Sequence, residues 1–272
     1  MLSFCAFLRT IEKRYMEKEI YYIWLSLISK LSYREILGLK DKYETYEKIW
    51  KEEKKENLMK ISGIGEKKAE IILSSDLKKE AILEWEEAKK RDIKVLGILE
   101  DDYPELLKQI YDPPICLYAL GNISCLKKPS LAIVGSRRAS DYGKKVAYFL
   151  SYQLSQRGIG IVSGLASGID TYSHNGAIYA YDGKDENVGK TIAVVGTGLD
   201  QVYPKENVKL QEKILEFGGV ILTEYRIGTK LNKYHFPERN RIISGLSLRN
   251  NCSRSRRKEW IFNYCRLCIR TR

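Results

Sequence analysis

The sequence predicts an α/β protein: a mostly parallel sheet covered on both faces and preceded by a small helical domain. Three observations predict it. Between residues 131 and 225, four short, near-continuous apolar runs alternate with helix-length amphipathic stretches, as in a parallel sheet with crossover helices. Residues 17–90 instead carry apolar positions at helical spacing among many charges. Between the two, at 93–122, short apolar runs flank an acidic, proline-containing turn. The expected organisation is a helical domain at 1–92, a sheet domain at 93–247 and an aberrant basic tail at 248–272.

The helical part contains EKEIYYIWLSLIS (17–29), YREILGL (33–39), KYETYEKIWKEEK (42–54) and the charged LKKEAILEWEEAKKRD (77–92). Inside it, ISGIGEKKAEIIL (61–73) places Gly63 and Gly65 where a tight turn exposes backbone N–H groups ahead of a helix starting near Glu66. Such a turn either holds a DNA phosphate, as in a helix-hairpin-helix module, or simply joins two helices. In the linking stretch Pro113 and Pro114 stop the preceding helix, and ICLYALG (115–121) reads as a strand.

The sheet elements then follow in order. LAIVG (131–135), GIVSG (160–164), KTIAVVG (190–196) and GVILTEY (219–225) read as strands; KKVAYFLSYQLSQRG (144–158), DTYSHNGAIYAY (170–181) and NVKLQEKILEFG (207–218) read as the helices between them. Right-handed crossovers bring all four strand carboxyl ends to one edge, where open parallel sheets bind ligands. Each strand ends there in glycine and polar groups: GSRRASDYG, SGLASGID, GTGLDQVYP and TEYRIG.

These glycines do not spell a cofactor site. GSRRAS lacks both the G-x-G-x-x-G spacing and the lysine–serine ending of a P-loop, and GTGLDQ supplies two of three glycines with no ribose-binding acid placed after it. Arg137 and Arg138 stand beside a coming helix N-terminus, where a guanidinium fork and free N–H groups suit a phosphodiester oxygen. One of them could instead pair with Asp141 on the surface. Ser163, Ser167, Asp170 and His174 offer nucleophile and base types, yet the serines lie in a glycine-rich turn rather than a G-x-S-x-G elbow. Asp170 is expected as a helix cap and His174 at the surface. His235 precedes FPERNRIISG, where Arg239 and Arg241 flank Asn240 as an anion clamp. No catalytic, cofactor-binding or metal-binding set is expected.

Composition adds limits. The 47 Lys and Arg outweigh 35 Asp and Glu for a formal charge of +12, but the segment from Arg249 to Arg272 holds eight basic residues and one acid. Placed residues, rather than net charge, must carry any nucleic-acid function. Six scattered cysteines imply no disulfide framework in a chain large enough to build its own core. Cys265 and Cys268 have CxxC spacing without a second pair. The opening MLSFCAFLRTIEKRYM is too short in its apolar run for a membrane span and lacks the order of a signal peptide. A cytoplasmic protein without membrane insertion is expected.

The motifs GSR (135–137), YG (142–143), SGLASGID (163–170), GTGLDQVYPKEN (196–207) and FPERNRIISGLS (236–247), with DDYPELLKQIYDPPICLYALGN (101–122) upstream, resemble the DNA-processing protein DprA (Smf) family. The resemblance implies a Rossmann-like domain after a small sterile-alpha-motif-like one. It implies a non-enzymatic protein that binds and protects single-stranded DNA during natural transformation and loads the recombinase RecA onto it, as a homodimer. For this chain it implies DNA contacts from Gly135, Ser136, Arg137 and Arg138, with Arg137 the principal phosphate contact. Gly164, Gly168, Gly196 and Gly198 would shape the pocket floor, Tyr203 and Lys205 a wall, and Arg239 with Arg241 another side.

After Ser247 the resemblance stops. The family continues with an apolar strand, an acid and a glycine-rich loop, whereas this chain reads LRNNCSRSRRKEWIFNYCRLCIRTR, without period or strand. The tail is therefore expected to be a frameshifted product that leaves a sheet edge bare and the pocket without its closing loop. Two other functions stand beside the leading one. A nucleotide or nucleoside-phosphate hydrolase or phosphotransferase would need a carboxylate against the arginines, with Glu224 as the candidate. A structural adaptor would use the charged helix at 78–92.

Overall fold

The computed structural model describes residues 17–29, 31–181 and 187–248 and the backbone of 266–269. The chain divides into two compact units, Met1–Arg91 and Asp92–Arg272.

The described part of the first unit is helical: α1 (Lys18–Leu27), α2 (Tyr33–Tyr43), α3 (Tyr46–Trp50), α4 (Lys55–Leu58), α5 (Glu66–Leu73) and α6 (Ser75–Lys90). α2 opens on a capping box, in which Ser32 Oγ accepts the Glu35 N–H and the Glu35 carboxylate accepts the Ser32 N–H. Buried Ile20, Ile23, Leu39 and Ile72 share the core with Trp24 and Trp50, whose rings meet edge-on at 5.1 Å. The Gly63–Gly65 turn joins α4 to α5. Gly63 has φ +90°, and a Cβ there would stand 2.6 Å from Glu35 Oε1, so only glycine fits. Glu35 is buried and paired with Lys68. Burial raises its carboxyl pKa, but hydrogen bonds from Lys68 and Ser32 outweigh burial and hold the group below its ordinary range. With a carboxylate packed against Gly63, this geometry supports the helix-joining role of the turn.

The second unit is built on a seven-stranded sheet in the order β1-β2-β6-β5-β4-β3-β7. Its strands are β1 (Lys94–Gly97), β2 (Cys116–Gly121), β3 (Ser130–Gly135), β4 (Gly160–Ser163), β5 (Thr191–Val194), β6 (Val220–Thr223) and β7 (Arg266–Ile269). β3 to β6 run parallel, β7 runs parallel to β3, and β2 joins β6 and β1 antiparallel. The expected mostly parallel α/β architecture is present. β4, β5 and β6 are buried at every residue, as strands covered on both faces must be. A short α7 (Glu105–Lys108) precedes β2, and α8 (Asp141–Ser155), α9 (Ile169–Tyr179) and α10 (Val208–Glu216) are the crossovers. Because β3 to β6 step one place each in the same direction, right-handed crossovers lay all three helices on one face. Ile133, Ala147, Ile161, Ile169 and Ala177 form the core beneath them.

Three elements differ from expectation. α8 starts at Asp141 rather than near 144, because Ser140 Oγ accepts the Gly143 N–H and caps it. FPERNRIISG lies within a helix, α11 (His235–Gly245). The tail, expected to hold no strand, supplies β7, in register with Ala132–Gly135. Ladder bonds use backbone groups alone, so a segment without strand periodicity can still cover an edge. Cys265 of the CxxC pair, the rest of 249–272 and the opening 1–16 lie outside the described residues. Among the described residues no helix is long and apolar enough to cross a membrane.

Candidate functional site

The carboxyl ends of β3, β4 and β5 surround a small open cleft, lined by Arg137, Gly164, Ser167, Gly196, Tyr203 and Phe236 among others. Arg137 is exposed and lays its guanidinium carbon 4.7 Å from the Phe236 ring centre. Phe236 in turn has the Tyr203 ring 5.9 Å away. Three planar groups thus form one run along the cleft. Asp141 takes Lys144 as its partner at 3.0 Å, and no carboxylate among the described residues pairs with Arg137.

Backbone packing sets this arrangement. A Cβ on Gly135 would stand 2.6 Å from Ile169 Cγ1, so the end of β3 can meet α9 only without a side chain. Gly168 has φ +81°, and a Cβ there would strike the Ser136 and Arg137 carbonyls. The Ile169 N–H donates to Ser136 O at 3.2 Å, locking the β3 and β4 loops together. Ser136 Oγ accepts the Arg138 N–H at 3.1 Å, leaving the Arg138 side chain exposed. Gly168→Ala combines a disfavoured backbone with a clash and is expected to cost about 1–3 kcal/mol or more in denaturant melts. A melt matching the wild type would mean that the two loops are not locked as described.

Gly196 lines the third loop, and His235 Nδ1 donates to its carbonyl at 2.9 Å while stacking on Tyr225 at 4.0 Å. This ties α11, and with it Phe236, to the end of β5. Gly198 acts at one remove, donating its N–H to Thr229 O at 3.1 Å. Lys205 is exposed in the 3-10 turn Lys205–Asn207 that follows Pro204 on the cleft wall. Ser167 Oγ donates to Glu206 Oε1 at 2.6 Å.

Arg239 and Arg241 do not close a side of the cleft. Arg239 is 4% exposed; its Nη1 donates to Gly164 O at 2.8 Å and to Val194 O. Its guanidinium occupies the space a Gly164 side chain would need. Asp170, expected as a helix cap, instead accepts the Gly164 and Ala166 N–H groups on Oδ2 at 3.1 and 3.4 Å. Both polar groups of Gly164 are therefore held by buried, oppositely charged side chains. Burial pushes the Asp170 pKa up and the Arg239 pKa down, and each charge pulls the other back. Arg241 donates to Glu224 and lies 3.5 Å from Asp112, so its charge is spent on the protein's own acids and Glu224 is held by Arg241 rather than by Arg137. His174, expected at the surface, is fully buried with Nδ1 2.7 Å from Thr191 Oγ1. Burial, followed by the Arg239 charge, lowers its pKa to about 3, so it stays neutral.

Sequence reasoning misses Phe236. The charges of FPERNR attract attention, while the aromatic beside the proline places its ring centre 4.7 Å from the Arg137 guanidinium carbon.

A profile of the family described as DNA recombination-mediator protein A matches residues 94–252. The chain is 48% identical over 150 residues to the DNA processing protein DprA of Streptococcus pneumoniae, covering 55% of this chain and 50% of that protein. It is 42% identical over 160 residues to the Bacillus subtilis protein of the same name, covering 58% and 51%. The chain thus spans about half the length of the curated relatives it matches. The X-ray structure of DNA processing protein A from Streptococcus pneumoniae is similar with a TM-score of 0.60 and 36% identity, over 85% of this chain and 76% of that one. Because the matched residues run from β1 through β6 and include every loop of the cleft, the chain belongs to the DNA recombination-mediator protein A family.

Proposed function

We propose that the protein binds single-stranded DNA in this cleft without catalysis and presents the strand to the recombinase RecA, in the cytoplasm during natural transformation and as a homodimer. The observation that carries this reading is the exposed Arg137 guanidinium stacked on Phe236 and followed by Tyr203. A guanidinium free of carboxylate partners suits a phosphate, and ring faces beside it suit bases that are not already stacked in a duplex. Exposed Arg138 and Lys205 add charge to the same edge.

The enzyme alternative has less support. The described residues lining the cleft include no carboxylate, histidine or thiol, and Glu224 is engaged by Arg241. Turnover of a nucleoside monophosphate by clean protein would reinstate it.

The cleft offers backbone turns, ring faces and cations rather than a helix aimed at base edges. Binding is expected to be indifferent to base sequence and steeply salt-dependent. At about −0.7 per phosphate contact on a single strand, the three exposed cations give a log-log slope of about −2 or steeper. Fluorescence anisotropy across a salt series, with oligothymidylate and mixed-sequence strands, measures both properties. A flat salt response or a strong preference for one sequence would count against the cleft as a DNA seat. RecA assembly on a coated strand, followed through its ATP hydrolysis, tests the loading step.

A further inference from the structure

The outer face of the α8–α9 pair carries aromatic rings that the core does not use. Tyr142, Phe149 and Tyr179 are 76%, 60% and 60% exposed. Tyr142, Lys145 and Phe149 follow one another at i, i+3 and i+7, on one stripe of α8. At the end nearest the cleft, Lys144 Nζ lies 5.9 Å from the Tyr172 ring centre. At the far end, the rings of Tyr148 and Tyr179 meet at 6.1 Å across the two helices.

This face is continuous with the cleft. Tyr142 lies five residues beyond Arg137, in the first turn of α8. Tyr172 lies in the first turn of α9, where its N–H donates to Gly168 O, and Gly168 is packed against the Arg137 carbonyl. The face is also depleted of acid. α8 contains one carboxylate, Asp141, already paired with Lys144, and α9 contains one, the buried Asp170.

We propose that this aromatic and lysine face is a second tract for the same polyanion, taking the single strand onward from the cleft along α8. The proposal rests on the cleft reading above. A run of exposed rings with Lys145 between them, free of a carboxylate partner among the described residues, matches a strand of bases and phosphates, because ring faces take any base and the cation follows the backbone. A protein partner or a second copy would also cover the rings, but neither calls for an exposed lysine between them without a facing acid. From Tyr142 to Phe149 the stripe runs about 10 Å, at 1.5 Å rise per residue. At ~3.4 Å per stacked nucleotide this adds about three nucleotides to the site.

The test compares oligothymidylates of six and sixteen nucleotides on the full chain, using wild type, Tyr142→Ala/Phe149→Ala, Lys145→Glu and Arg137→Ala, with sedimentation to follow oligomeric state. The α8 variants replace exposed side chains and should keep the fold, which melting checks. The expected result is wild-type affinity of the α8 variants for the six-mer and at least about tenfold weaker binding of the sixteen-mer by the ring variant, the scale of losing one stacked base, with a loss in the same direction for Lys145→Glu. Equal affinities for both lengths would overturn the tract. A change in oligomeric state in place of the length-dependent loss would overturn it in favour of a second copy. Arg137→Ala should weaken both lengths; no effect on the six-mer would sink the cleft assignment itself, a separate failure that removes the starting point of the tract.

Discussion

Arg239→Met is expected to destabilise the second unit by about 3–5 kcal/mol, the cost of removing one partner from a buried, charge-coupled pair. The side chain volume is nearly kept, so the loss is electrostatic. Gly164 O and Val194 O lose their guanidinium donor, and Asp170, whose burial already raises its pKa, loses the positive charge that pulls it back. For a unit of this size such a loss moves the thermal midpoint by roughly 10 °C. Adding Asp170→Asn removes the stranded charge while keeping an acceptor for the Gly164 and Ala166 N–H groups. The double variant should therefore melt above the sum of the two single effects, a coupling that a double-mutant cycle reads directly. The competing role, an arginine aimed at DNA, predicts the reverse pattern: Arg239→Met would melt like wild type and lose affinity alone. Denaturant unfolding and strand binding on the same preparation separate the two.

The contrast between Arg137 and Arg239 shows what the sequence makes legible. Strands such as VILT and TIAV announce themselves because burial on both faces leaves no charged position and only one threonine in each. The loops after them announce the site because parallel topology gives their ends one common edge. Whether an arginine on that edge points out or in depends on groups distant in the chain. Arg239 turns inward because Gly164 and Val194 offer carbonyls and Asp170 a countercharge, 75, 45 and 69 positions earlier. His174 sits inside for a similar reason, since Thr191 reaches it from the strand beneath α9. Helix α11 escapes the pattern because its first turns carry proline and charge, and its buried Ile242 and Ile243 come only near its end. β7 escapes because backbone pairing at an edge asks almost nothing of the side chains.

Arg137→Ala is expected to weaken single-strand binding by about one to two decades, the loss of a charge-assisted contact of roughly 1.5–3 kcal/mol. Melting should be unchanged, because the side chain is exposed and no carboxylate among the described residues pairs with it. The salt slope should also flatten by about 0.7, one phosphate contact on a single strand. Arg137→Lys restores the charge but neither the fork nor the planar guanidinium whose carbon lies 4.7 Å from the Phe236 ring centre, so it should recover only part of the loss. Phe236→Ala tests the same unit from the other side. If the ring serves to hold the guanidinium, the combined variant should bind little worse than Arg137→Ala alone. If the ring stacks a base independently, the two losses should add. The basic tail gives a background common to all variants, which salt screens within a Debye length of about 8 Å at physiological ionic strength, so the comparison belongs there. Unchanged affinity in Arg137→Ala would refute the seat, and a collapsed melt would make Arg137 a structural residue of the β3 loop.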